Sequence, residues 1–229
     1  FFQEVEFYNT LSASEFREIG LQARNEITES KEIIMAKLKI INLFKKIFYT
    51  EQDYLASSYF AFFPTRNLPS QEEQLDFHRE TTYAGDKKPY HGFQYNIWIP
   101  VFDVEKNQKL FFVPKSHLIK DKDIKTINIG QKADRRTASH TLGYAYWPKK
   151  IVGGVDLEKA ERFEVPKDKF LLFDGNLIHG SGSNKGNTIR FAMTFGIIEK
   201  KKFIDNQNYI TFRSNNPTFT TPTFTKSNN

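Results

Sequence analysis

Cysteine is absent from the chain, which removes disulfide bridges, thiolate metal sites, iron–sulfur clusters and cysteine nucleophiles from consideration. Any metal must be held by His, Asp or Glu. Histidine is scarce as well: the chain has His78, His91, His117, His140 and His179 and no others. Long apolar runs are missing, since stretches such as Phe170-Leu171-Leu172-Phe173 fall far short of the roughly 20 residues that span a bilayer. No membrane association is expected, and the expected location is cytoplasmic. Neither sign of charge dominates, with 33 Lys and Arg against 27 Asp and Glu, a net +6. The basic clusters Arg135-Arg136, Lys149-Lys150 and Lys200-Lys201-Lys202 are short and scattered, so no nucleic-acid partner is expected. A surplus of this size suits a small anionic ligand without establishing one.

What the chain does have is aromatic mass. Phe alone contributes 23 of 229 residues, and hydrophobic residues make up 39%, which excludes a disordered or low-complexity chain. The first fifty residues read as helices. Ser12 or Ser14 is placed to cap a segment running through Ile27, and Ile34, Leu38, Ile41, Phe44 and Phe48 recur at helical spacing as a buried stripe, with Lys37, Lys39, Lys45 and Lys46 on a solvated face. From Asp53 the pattern changes to short runs rich in Phe, Tyr, Ile and Val separated by Pro, Gly, Asn and Asp. Strands are expected over 57–63, 74–80, 92–100, 109–113, 141–147, 162–165, 169–173 and 188–198. Short strands without intervening helices favour a jelly roll or related barrel over a parallel α/β sheet. The expectation is a single domain over 1–229, mainly β with N-terminal helices: a helical part at 1–52, a β-barrel core at 53–200 and a C-terminal extension at 201–229, with the tail after Asn206 loosely attached or draped over the surface.

His78 and Glu80 stand two apart on an expected strand, so their side chains leave the same face, roughly 7 Å apart along the backbone. His179, in the turn after the strand 169–173, is the best-placed third ligand. Two His and one carboxylate leave coordination positions open on a non-heme iron. On the strand that follows, Arg190, Ala192, Thr194 and Gly196 share one face and Ile189, Phe191, Met193 and Phe195 the other. An Arg among small residues suggests a cavity in which a guanidinium fork receives a carboxylate, the alternative being a structural ion pair. Gln94, Asn96 and Trp98 share a strand face, and Asn96 either contacts a ligand there or is hydrogen-bonded inside the barrel. His91 and His140 read as surface or supporting groups.

These pieces together resemble the phytanoyl-CoA dioxygenase-like (PhyH) family of Fe(II)/2-oxoglutarate oxygenases, whose fold is a double-stranded β-helix, the cupin-like jelly roll. The matching segments are Phe77-His78-Arg79-Glu80 for the family's His-x-acid motif, Trp98-Ile99-Pro100-Val101-Phe102-Asp103 for its central strand and turn, Val113-Pro114-Lys115-Ser116-His117 for its Pro-Gly-Ser-His turn, and His179-Gly180-Ser181 with Arg190 eleven residues past the His. They cover about residues 57 to 198. The resemblance implies that His78, Glu80 and His179 hold Fe(II), that Ser181 and Arg190 grip the distal carboxylate of 2-oxoglutarate, and that Trp98 lines the same pocket. It implies a dioxygenase that releases succinate and CO2 while hydroxylating a small molecule; the basic residues between Lys115 and Phe163 suit a polar or anionic metabolite, phosphorylated or sugar-linked. Retention of the carboxylate favours hydroxylation over halogenation. Two departures stand out: Glu80 replaces the usual Asp, its extra methylene displacing the carboxylate by roughly 1.5 Å, and Lys115 replaces the usual Gly. His117 reads as a structural hydrogen-bonder. The region from Lys115 to Phe163, with Lys120, Lys122, Lys125, Arg135, Arg136, Lys149 and Lys150, reads as an irregular insertion that covers the site. A cupin-type isomerase or epimerase and a non-catalytic ligand-binding barrel are the alternatives.

Overall fold

A computed structural model of the chain describes residues 5–28, 30–57, 61–68, 76–80, 93–102, 104, 108–128, 149–166, 168–181, 184–205 and 219–220. The helices come first: α1 (Val5–Thr10), α2 (Ala13–Thr28) and α3 (Lys31–Ile47). Ser12 opens α2 with a reciprocal capping box, its hydroxyl accepting from the Glu15 amide at 3.3 Å while the Glu15 carboxylate accepts from the Ser12 amide at 2.8 Å. Two otherwise orphaned amides are satisfied in this way. Ser30 caps α3 by accepting from the Ile33 amide.

The strands are β1 (Tyr54–Ser57), β2 (Ala61–Thr65), β3 (Gln94–Pro100), β4 (Phe111–Phe112), β5 (Lys125–Asn128), β6 (Lys149–Gly153), β7 (Glu161–Arg162), β8 (Leu171–Asp174), β9 (His179–Gly180), β10 (Arg190–Glu199) and β11 (Phe219–Thr220), with a short helix α4 (Lys200–Asp205) after β10. The main sheet has the order β11-β1-β10-β3-β8, with β2 also paired to β10. The long strand β10 organises it: β1 runs along its C-terminal half, β2 along its N-terminal half, and β3 along its other edge from Ala192 to Ile198, all antiparallel. A second sheet has the order β7-β4-β9, and β5 pairs with β6. Among the described residues the strands do not close into a barrel.

Alternation along β3 and β10 divides the main sheet into two faces. Ile97, Phe195 and Ile197 join Ile33, Ile40, Ile41 and Phe44 of α3 in one core cluster. On the opposite face Trp98 and Ala192 pack with Leu110, Phe173 and Leu177. Helix α3 therefore covers one face, and the other is left for the site. The N-terminal helices are anchored by Arg66, buried at 2% exposure, which donates to the Tyr8 and Leu11 carbonyls and stacks 4.2 Å over Phe16.

Several expectations need correcting. The buried stripe of α3 is Ile33, Lys37, Ile40, Ile41 and Phe44, one step round from the expected set, and Phe48 is exposed. Lys37 is therefore not on the solvated face; its ammonium donates to the Ser57 carbonyl at 2.9 Å. The strand expected over 74–80 reduces, within its described part, to an isolated bridge at His78. The strand expected over 57–63 begins earlier, as β1, and resumes as β2. Within the supposed insertion, single turns at Ser116–Leu118 and Asp121–Asp123 lead into β5, so its described part is ordered structure. The tail returns as β11 and extends the main sheet against β1. The strand expected over 141–147, along with His91, His140, Arg135 and Arg136, lies outside the described residues. No described helix is long and apolar enough to cross a membrane.

Candidate metal centre

The two sheets meet at the connection from β8 to β9. β8 pairs with β3 in the main sheet, and β9 pairs with β4 in the second. Between them the Asp174 carboxylate accepts from the Asn176 amide at 2.7 Å, and the Leu177 amide donates to the Asp174 carbonyl at 2.9 Å, making a tight turn that carries the chain across. The Ile178 amide is received by the Ser116 hydroxyl at 2.7 Å. His179 thus begins β9 from a fixed backbone.

His78 reaches the same place from the other side. His78 and His179 exchange both backbone hydrogen bonds at 2.9 Å, the closely spaced antiparallel pairing that puts two side chains next to each other. Their rings lie 4.3 Å apart between centroids. Two residues on, the Glu80 amide donates to the Gly175 carbonyl at 2.9 Å, so both ends of the His78-Arg79-Glu80 segment are tied to the β8–β9 connection. The intervening Arg79 points the other way. It is 1% exposed and donates to the Ser116 and Ile119 carbonyls and to the Asp121 carboxylate, the last at 2.7 Å.

His78, Glu80 and His179 each offer one donor atom, all within 4.8 Å of one another. The Glu80 carboxylate lies 3.9 Å from Nε2 of His179. Neighbouring donors bound at about 2.1 Å to one ion lie about 3 Å apart, so the three would draw together by side-chain rotation on binding. The orientation of both imidazoles is settled by their other nitrogen. Nδ1 of His78 faces the Asp76 carbonyl at 2.7 Å and Nδ1 of His179 faces the Leu177 carbonyl at 2.8 Å. A carbonyl only accepts, so Nδ1 carries the proton and the Nε2 lone pair is left for a metal. Burial pushes the His179 pKa below its ordinary value, against the opposing pull of Glu80 and the Leu177 carbonyl. The ring is neutral at physiological pH, the form that ligates. Two imidazoles and a carboxylate form a donor set suited to a non-heme iron centre with open positions.

Glu80 is held in turn. Asn96 donates to its carboxylate at 2.9 Å, and Gln94 donates to the Asn96 carbonyl oxygen at 2.5 Å. The face shared by Gln94, Asn96 and Trp98 is thus the site face. Trp98 is 7% exposed and packs with Phe173, whose ring meets His179 edge-on at 4.7 Å between centroids. Arg190 is buried at 4% exposure at the far end of β10, donating to the Gln108 carbonyl at 3.0 Å, the Ser181 carbonyl at 2.7 Å and the Thr65 hydroxyl at 2.9 Å. Ser181, also buried, is thereby linked to Arg190 through its backbone. His117 does not have the structural role expected of it: it is exposed, and Ser116 beside it makes the bonds. Sequence reasoning missed Arg79, Phe173 and Gly196 as parts of the site. Only the alternation along β10 hinted at Gly196.

The profile of the phytanoyl-CoA dioxygenase (PhyH) family matches residues 38–192, a span that contains all three donors and Arg190. The chain belongs to the PhyH family. No curated protein matches the chain. Among solved structures, the PhyH chain is similar to EvdO2 from Micromonospora carbonacea var. aurantiaca, solved in complex with 2-oxoglutarate, with 14% identity and a TM-score of 0.50 over 78% of this chain and 64% of EvdO2. The non-heme monooxygenase ThoJ shares 16% identity over 82% of this chain and 69% of its own, with a TM-score of 0.48. SnoN, an alpha ketoglutarate dependent epimerase from nogalamycin biosynthesis, shares 14% over 70% and 52%, with a TM-score of 0.42. At these identities the likeness concerns the fold.

Proposed function

We propose that this PhyH chain is an Fe(II)/2-oxoglutarate-dependent dioxygenase of jelly-roll fold that hydroxylates a small-molecule substrate. The observation that carries the reading is the cluster of His78, Glu80 and His179, with both imidazoles presenting Nε2. EvdO2, similar in fold, was solved with 2-oxoglutarate, which supports the choice of cosubstrate. Bound at this cluster, Fe(II) supplies activation of O2 coupled to oxidative decarboxylation of 2-oxoglutarate, one oxygen atom going to succinate beside CO2 and the other to the substrate.

The protein's own residues do the rest. His78 and His179 bind through Nε2, their tautomers held by backbone carbonyls, and Glu80 adds the negative charge that makes a divalent ion favourable in a buried site. Phe173 meets the His179 ring edge-on and is backed by Trp98 and Leu177, an apolar support for the centre. Arg190 and Ser181 receive the distal carboxylate of 2-oxoglutarate, the guanidinium being fixed in advance by the Gln108 and Ser181 carbonyls, so little side-chain freedom is lost on binding. The test is Fe(II)-dependent formation of succinate from 2-oxoglutarate in air. It is expected to disappear in His179→Ala and Arg190→Ala; succinate formed undiminished by His179→Ala would overturn the proposal.

A further inference from the structure

We propose that Gln94 and Asn96 form a relay that places the Glu80 carboxylate for the metal. The inference rests on the metal-centre reading above and concerns how that site is built. Glutamate carries one more rotatable bond than aspartate, so its carboxylate has more places to be. The amide of Asn96 removes that freedom by donating to Oε1 of Glu80 at 2.9 Å, the same oxygen that lies 3.9 Å from Nε2 of His179. The direction of the relay follows from the chemistry. An ionised carboxylate only accepts, so Asn96 must turn its NH2 group towards Glu80 and its oxygen away. That oxygen then needs a donor, which Gln94 supplies at 2.5 Å.

The space for this arrangement is built into the sheet. Gln94 and Asn96 alternate on β3, both buried, at 8% and 4% exposure. Directly across from Asn96 on β10 stands Gly196. A Cβ at Gly196 would come within 2.6 Å of both Cδ and Nε2 of Gln94, closer than such contacts occur, so the Gln94 amide would have to leave its present place. Glycine at 196 therefore lets the Gln94 amide lie across the strand and reach Asn96. Both amides act through Glu80 and are positioning residues.

The experiment is a calorimetric titration of the purified protein with Co(II), run under identical conditions for the parent, Asn96→Ala, Gln94→Leu, Glu80→Asp and the double variant Glu80→Asp/Asn96→Ala, with His179→Ala and Glu80→Ala as controls. In the Glu80 background Asn96→Ala is expected to weaken Co(II) binding about 10- to 100-fold, the usual effect of removing a group that orients a ligand. Gln94→Leu, of similar volume and without the donor, loses affinity in the same direction by less. In the Glu80→Asp background the shorter carboxylate no longer meets the Asn96 amide, and Asn96→Ala shifts affinity by less than about threefold, the signature of coupling between the two residues. An equal loss in both backgrounds, or none in either, overturns the relay. Should Asn96→Ala fail to fold, Gln94→Leu measured in both backgrounds decides by the same criterion. If His179→Ala and Glu80→Ala bind Co(II) as tightly as the parent, the metal-centre reading itself has failed, a result distinct from failure of the relay.

Discussion

Lys37 sits where the helix α3 should be apolar, 5% exposed, with its ammonium on the Ser57 carbonyl and 5.8 Å from the Phe195 ring centroid. Burial lowers its pKa from the ordinary 10.5 to about 8. Between those two values the unfolded chain holds a proton that the folded chain has released, so stability rises with pH through that window. Below about pH 8 both states are protonated, and the cost of burying the charge is present in full. Each pKa unit corresponds to about 1.36 kcal/mol, so the gain from pH 8 to 10.5 is roughly 3 kcal/mol. The measurement is urea denaturation at half-unit steps from pH 7 to 10.5, for the parent and for Lys37→Met, which keeps the length and removes the titration. Groups common to both proteins cancel in the difference. The parent is expected to gain on Lys37→Met as pH rises, most steeply at about pH 9, midway between the two pKa values. Parallel profiles for the two proteins would refute the buried-charge reasoning, and a gain that begins below pH 7 would give the wrong window.

Lys115 adopts a left-handed backbone with φ of 61°, a conformation that costs a side-chain-bearing residue about 1–2 kcal/mol. Lys115→Gly relieves that cost, offset by the roughly 0.5–1 kcal/mol of extra freedom glycine brings to the unfolded chain, and the melting temperature is expected to rise by about 2–4 °C. Arg79→Met removes the donor to the Ser116 and Ile119 carbonyls and to the partly exposed Asp121 carboxylate and is expected to cost about 1–3 kcal/mol in urea denaturation; Asp121→Asn, which keeps both carbonyl anchors, costs clearly less. Ser116→Ala orphans the buried Ile178 amide, with an expected loss of about 1–3 kcal/mol in the same assay.

The three residues of the candidate cluster were named from the sequence and the fold brings them together, although the strand invoked for two of them is not the reason they meet. His78 and Glu80 come together because a single reciprocal bridge to His179 and one bond to Gly175 pin a short segment, and long-range pairing of this kind leaves no local periodicity. The central strand and β10 were legible because both alternate cleanly, and the same alternation put Asn96 and Trp98 on the site face. The rotation of the α3 stripe was not legible, since a lysine counts as polar in any pattern and only the fold reveals that Ser57 receives its ammonium. The structural role expected of His117 falls to Ser116 for a similar reason: both are polar neighbours in one turn, and only tertiary contact with Ile178 selects the serine. Lys115 was visible as a departure from the expected pattern, and its left-handed backbone is a conformation that favours glycine. The return of the chain as β11 left no trace in a short segment rich in Thr, Phe and Pro.

The most direct test is anaerobic addition of Fe(II) and then 2-oxoglutarate to the purified protein, followed in the visible spectrum, with Glu80→Ala and Arg190→Ala alongside. The account predicts a charge-transfer band from the chelated keto acid in the parent and its loss in both variants. A folded protein that binds Fe(II) yet shows no band with 2-oxoglutarate would contradict it.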